Sequence, residues 1–369
     1  MLDELLNTIL LFTLLIIIII TIGSIPSELG RLSNMKYLDL DDNSLSGSIP
    51  IELANMRNAI FFDIDRNKLT GTIPSQLGYL TNVQQFQLFT NYLTGSIPTQ
   101  LGNLISLRIF DISLNMLTGS IPTQLGKLAN VQYFYINNNM LIGSIPYQIG
   151  NLINSSEIYL NDNQLIGSIP TIFCNLNQLT SLALQNNYLS GSIPTNLMNM
   201  TNLEVINLSN NINLTGNLDN YFSSSTELKL NSILLDNLKL RGSIPDALFS
   251  LKSMHTIVLS NNCITGTLSD SICNLKTLTT MIVNGGYSTK CGRSTRKQEF
   301  HGTIPSCIFS LTTLNTLHLA GIIIIIIIIT TIIFIIKGNG LRGSIPNILS
   351  NRSLLSDLNL AGNRLVGIK

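Results

Sequence analysis

The chain has 369 residues, 45% of them hydrophobic and only 11% charged, with a formal net charge of +1. So even a balance excludes the basic face of a nucleic-acid-binding protein. Three histidines and no CxxC pair leave no zinc site, and no cofactor is expected.

Residues 1–22 open with Asp3 and Glu4 and then run without charge from Leu5 to Ile22, including five consecutive isoleucines. The length suits a secretory signal or a membrane anchor. The acidic start and the lack of a small-residue cleavage site suit a decayed repeat instead, with Leu11, Leu14 and Ile16 in repeat register. Membrane association, if present, is expected through this segment.

From residue 23 onward the chain is periodic. Ile-Pro pairs end at Pro26, Pro50, Pro74, Pro98, Pro122, Pro146, Pro170 and Pro194, each 24 residues after the last. A fixed period of this size marks a solenoid, in which each coil contacts only its neighbours. Within one coil, Leu107, Phe110 and Ile112 are apolar, with Asp111 and Ser113 between and after them. That alternation predicts a strand with one buried face. Asn91, Asn115, Asn139 and Asn163 recur where the chain leaves the strand, placed to bond backbone groups that the turn leaves unpaired. Gly119 permits tight backbone geometry, and Pro122 fixes φ and ends ladder pairing. The inward column is predicted to be Leu38, Phe62, Phe86, Phe110, Phe134 and Ile158.

After Pro194 the register loosens. Asp219, Pro245, Ser269, Pro305 and Pro346 take the proline position after 25, 26, 24, 36 and 41 residues. The two long steps imply insertions at about 285–297 and 322–338 within a repeat region of 23–369, and thirteen strand units in all. The first insertion carries Lys290, Arg293, Arg296 and Lys297 without an acid and reads as a solvated loop. The second contains eight consecutive isoleucines. Removing its 17 residues restores a 24-residue step and puts Asn339 at the repeat's Asn position. It is therefore read as an inserted loop in preference to a transmembrane helix. Of the five cysteines, Cys174 and Cys273 sit where other coils carry Gly and read as small buried residues, although a disulfide among Cys273, Cys291 and Cys307 is an alternative.

The unit L-x-x-L-x-L-x-x-N-x-L-x-G-x-I-P, completed by Leu77-Gly78, Leu101-Gly102 and Leu125-Gly126, resembles the plant-type leucine-rich repeat over nearly the whole chain. The resemblance implies an α/β repeat fold: a right-handed solenoid with a parallel β-sheet on its concave face and 3₁₀ or irregular convex segments. In that family such arrays form ectodomains of receptor-like kinases and receptor-like proteins, and polygalacturonase-inhibiting proteins. The family's N-terminal Trp- and Cys-containing cap has no counterpart in this sequence.

Strand residues that point away from the core would line the concave surface. Two outward columns read Tyr37, Phe61, Gln85, Ile109, Tyr133, Glu157 and Asp39, Asp63, Gln87, Asp111, Tyr135, Tyr159. Asp41, Asp65 and Phe89 lie just beyond. From these the candidate binding surface is Tyr37, Asp39, Asp41, Phe61, Asp63, Asp65, Phe89, Asp111, Tyr133, Tyr135 and Tyr159, because exposed aromatics are the usual anchors of protein recognition. Sequons at Asn154, Asn199, Asn213 and Asn351 are candidate glycosylation sites; that at Asn207 falls on a strand. His255, His301 and His318 have no recurring acid or nucleophile beside them, so no enzyme is expected. The sequence points to a non-enzymatic protein- or peptide-binding scaffold, extracellular or membrane-associated, in the manner of a receptor ectodomain. The alternative is a secreted inhibitor or a cell-wall-associated structural protein.

Overall fold

The computed structural model describes residues 23–222 and 228–284, and beyond them 305, 307–308, 311–320, 333–335, 342–343, 357–359 and 364–365. The chain divides into two compact units, Met1–Leu179 and Thr180–Lys369. In the first unit, strands Tyr37–Asp39, Phe61–Asp63, Gln85–Gln87, Ile109–Asp111, Tyr133–Tyr135 and Glu157–Tyr159 pair in parallel and in chain order. The register is one coil per rung: Leu38 lies opposite Phe62, Phe62 opposite Phe86, Phe86 opposite Phe110, and Phe134 opposite Ile158. All six residues of the predicted inward column are buried. Four of them form a continuous ring stack, with centroid separations of 5.4, 6.0 and 5.4 Å from Phe62 through Phe134.

Three residues beyond each strand of the first unit lies a left-handed residue. Thr90 and Leu114 have φ of 54° and 53°, a region that favours glycine. They are held there because their N–H groups donate to the next coil, Thr90 to the Ser113 carbonyl at 3.1 Å and Leu114 to the Asn137 carbonyl at 3.0 Å. The repeat asparagine follows and is buried. Asn115 Oδ1 accepts from the Leu93 N–H at 3.0 Å, and its Nδ2 donates to the carbonyls of Leu88, Ile112 and Ser113. The same pattern recurs at Asn67, Asn91 and Asn139, so the column ties each coil to the one before it.

The prolines then start a short helix. Pro122, at φ −65°, precedes the five-residue 3₁₀ segment Thr123–Lys127, whose Leu125 N–H donates back to the Pro122 carbonyl. A residue with no N–H and a fixed φ suits that position. Gly126, inside the segment, allows the next coil to approach: a Cβ there would lie 2.4 Å from the Gln148 carbonyl oxygen. Among the described residues these connecting segments are 3₁₀ and none is α-helical.

The second unit repeats the plan with Ser181–Ala183, Val205–Asn207, Ser232–Leu234, Thr256–Val258, Thr280–Asn284, Thr316–Ala320, Ile333–Ile335 and Asp357–Asn359, again parallel and in order. Thr280–Asn284 pairs with Thr316–Ala320 over five rungs of register. The insertion at 285–297 lies outside the described residues. Cys273 and Cys307 form a disulfide with a Cα–Cα distance of 5.8 Å. Cys273 holds the position of Gly126, and Cys307 that of Gln148 in the following coil. The close approach that excludes a Cβ in the first unit is thus a covalent bond here, which corrects the reading of Cys273 as a small buried residue. Cys263 is also disulfide-bonded, whereas Cys174 is a free, half-buried thiol.

The isoleucine run differs from the sequence reading as well. Most of 322–338 lies outside the described residues, but Ile333–Ile335 is a strand paired with Thr316–Leu317 on one side and Asp357–Asn359 on the other. Among the described residues, six ladder strands in one unit and eight in the other make fourteen, one more than expected. Residues read as loop occupy a rung because Phe334, Ile336, Asn339, Leu341 and Gly343 already stand in repeat spacing. Residues 1–22 lie outside the described residues. No helix among the described residues is long and apolar enough to cross a membrane.

Candidate functional site

Inward residues at the centre of each strand force their two flanking residues outward. In the first unit this brings the candidate residues onto one face in rows one strand apart, about 4.8 Å. Tyr37 and Asp39 are exposed; Phe61, Phe89, Asp111, Tyr133, Tyr135 and Tyr159 are half-buried. Asp63 and Asp65 were expected at the surface, but they are covered, at 5% and 1% exposure. Gln87 of the next coil and Arg66, the chain neighbour of Asp65, do the covering. Gln87 Nε2 donates to Asp63 Oδ2 at 2.5 Å, and Arg66 Nη1 lies 3.4 Å from Asp65 Oδ1 and 3.5 Å from Asp41 Oδ2. The Arg66 guanidinium also sits over the Phe89 ring, 5.0 Å from its centroid.

The face has two chemically distinct ends. At the acidic end, Asp39, Asp41, Asp63 and Asp65 crowd the first two coils, and Asp111 follows on the fourth. Burial raises the Asp111 carboxyl above its ordinary range, against hydrogen bonds from Ser113 that lower it. Burial likewise raises Asp63, helped by the charges of Asp39 and Asp41. Asp65 is pushed up to about 7, by burial first and by Asp63 next, with Arg66 opposing. At the aromatic end, the Tyr135 and Tyr159 rings stack at 4.7 Å and Tyr133 tilts against Tyr135 at 6.2 Å. The Tyr135 hydroxyl donates to Glu157 Oε2 at 2.6 Å; burial and that acceptor both raise its pKa. Arg66, Gln87 and Glu157 thus complete the site beyond the candidate residues. Arg66 escaped the strand pattern because it occupies the left-handed position, outside the alternation.

A carboxyl whose folded pKa lies above its unfolded value keeps its proton in the native state while the unfolded chain has lost it. Stability should therefore fall as pH rises from the ordinary carboxylate range through about 7, the value for Asp65. Urea midpoints should be lower near pH 8 than near pH 5, and Asp65→Asn should remove most of that slope. A midpoint that stays level, or rises, over this interval would contradict the crowding of these carboxyls.

The candidate sequons are spread over both units. Asn154 is exposed and donates from Nδ2 to the Ala129 carbonyl, beside a polar groove that includes Arg108 and Gln132. Asn199 ends a 3₁₀ segment, and Asn213 accepts from Lys239 Nζ at 2.9 Å. Asn351 lies outside the described residues. No group of three or more His, Cys, Asp or Glu among the described residues is placed to hold a metal ion.

Segments 34–56, 106–128, 130–152, 155–176, 178–200 and 253–275 match the Leucine Rich Repeat family model. With the parallel strand ladders and the asparagine column, these segments show that the chain carries leucine-rich repeats folded as a solenoid. Among solved structures it is similar to a TDR receptor, at 26% identity and a TM-score of 0.79, covering 93% of this chain and 62% of that one. The ectodomain of the Arabidopsis receptor kinase HAESA, solved with an IDA peptide hormone ligand, has 26% identity and a TM-score of 0.74, covering 93% and 60%. The plant peptide hormone receptor RGFR1, solved in complex with RGF2, has 28% identity and a TM-score of 0.70, covering 93% and 65%. This chain therefore spans about three-fifths of the length of the structures it matches. No curated protein matches the sequence.

Proposed function

We propose that this chain is a non-enzymatic binding scaffold whose outward strand face, from Tyr37 to Tyr159, recognises a peptide or an extended protein segment. The observation that carries the reading is the face itself: carboxylates and half-exposed aromatic rings gathered on six consecutive rungs of a rigid ladder. Rigid aromatic anchors give contact area at small entropic cost, which is what recognition of a flexible ligand needs. The peptide complexes of the similar HAESA and RGFR1 structures support the same reading. We further assign the chain to an extracellular or membrane-associated setting as part of a receptor-like ectodomain. The Cys273–Cys307 disulfide supports this, since such bonds persist in oxidising compartments.

The test is footprinting. Peptides selected on the full chain from a random displayed library should protect Tyr37, Tyr133, Tyr135 and Tyr159 from hydroxyl-radical oxidation. They should leave Tyr79 and Tyr147, on the 3₁₀ segments, as reactive as in the free protein. Protection of the latter pair alone would place binding elsewhere and reject the assigned face.

A further inference from the structure

The chemistry of the two ends of this face, and the distance between them, says what the peptide carries. On the first two coils Asp39, Asp41, Asp63 and Asp65 face one another within hydrogen-bonding networks. Arg66, the cation that reaches them, is already shared between Asp41 and Asp65 and laid against Phe89. The end therefore carries negative charge in excess, and a ligand cation beside Asp39 would relieve it. The carboxylates are spread along rungs and do not converge on a point, and among the described residues no group is placed to hold a metal ion. Such an arrangement suits a cationic side chain on a chain that runs across the rungs.

A second, separate feature lies on the fifth and sixth rungs. Tyr135 and Tyr159 present a stacked pair of half-exposed rings, with Tyr133 tilted beside them. A stack fixed by the Tyr135–Glu157 hydrogen bond is a preformed platform for a flat apolar ring. From the first rung, which carries the exposed Asp39 and Asp41, to the middle of this pair is four to five strand spacings, about 22 Å. An extended peptide rises about 3.3 Å per residue, so about six to seven residues bridge the two ends.

We propose that the ligand of this face is an extended cationic peptide. Its Lys or Arg lies over Asp39 and Asp41, and a proline or aromatic ring about six to seven residues away packs on Tyr135 and Tyr159. The inference rests on the binding reading above and adds the charge, the ring and their spacing. Charge complementarity argues for the cation; the stacked rings, independently, argue for the second anchor.

The full chain, immobilised, is used to select peptides from a random displayed library, and the selected peptides are sequenced. Enrichment of a basic residue about six to seven positions from a proline or aromatic residue is expected. Asp39→Asn, an exposed substitution with small folding risk, should weaken a selected peptide about tenfold. The effect should shrink as salt rises, because the lost pair is screened. Tyr159→Ala should weaken the same peptide by a similar factor that does not change with salt. A melting transition close to that of the parent shows that each variant is folded. Peptides enriched without a basic residue and indifferent to Asp39→Asn would overturn this inference while leaving peptide binding standing. Failure to enrich any peptide would overturn both.

Discussion

Replacing Phe110 by Ala should remove about 4 kcal/mol of stability, the middle of the range for a buried Phe cut to Ala. The ring is fully buried and sits third in the stack, at 6.0 Å from Phe86 and 5.4 Å from Phe134. Its removal breaks both contacts and leaves a cavity bounded by backbone on two rungs, which the hydrogen-bonded ladder holds apart. Collapse is therefore restricted, and the cavity part of the loss stays large. Phe110→Leu should lose less, roughly 1–1.5 kcal/mol, because most of the volume is kept. Urea unfolding followed by circular dichroism reads both numbers. In a solenoid, stability is close to a sum of coil and neighbour terms, so a weakened central coil can also uncouple its two flanks. A reduced transition slope in Phe110→Ala would report that uncoupling. A loss below about 1 kcal/mol would mean that the stack is not the core of the unit.

Much of this architecture could be read from the sequence because the period is strict. The Ile-Pro pairs fixed the rung spacing, and the alternation about Phe110 fixed which side chains turn inward. The asparagine column was legible in the same way, since Asn has both a donor and an acceptor to spend on a turn. Other features depend on contacts between coils and were not legible. Asp63 and Asp65 follow the outward pattern, yet Gln87 and Arg66 reach across from adjacent positions and cover them. The Cys273–Cys307 bond was legible only as one alternative among Cys273, Cys291 and Cys307, because spacing does not choose between the partners. The eight isoleucines at 322–329 carry no register of their own, because they are identical. Phe334 and Ile336, with Asn339 and Gly343 after them, mark which three residues take the rung. The binding face was legible as a set of columns, but its division into an acidic and an aromatic end depends on the Tyr135–Tyr159 stack and the Arg66 contacts.

Replacing Asn115 by Ala should lower stability by about 1–3 kcal/mol, though it removes only a small polar group. The reason is what it leaves behind. Asn115 satisfies the Leu93 N–H and donates to the carbonyls of Leu88, Ile112 and Ser113. The side chain is 9% exposed, and the Leu93 N–H and Leu88 carbonyl belong to the preceding coil. The Leu88 carbonyl keeps a bond from Asn91 Nδ2 and the Ile112 carbonyl one from Asn139 Nδ2, whereas the Leu93 N–H loses the acceptor that Asn115 supplies. A buried group stranded without a partner loses about 1–3 kcal/mol, and here that group is the Leu93 N–H. Asn115→Asp separates shape from chemistry. It preserves the outline and the acceptor toward Leu93, but it turns the donor toward three carbonyl oxygens into a second acceptor. If hydrogen bonding is the function of the column, Asp should rescue little and should destabilise more as pH rises and the carboxylate ionises in a buried site. If the column serves only to fill space, Asp should restore nearly all of the stability lost in the Ala variant. Chemical denaturation of the two variants at one acidic and one neutral pH distinguishes these outcomes.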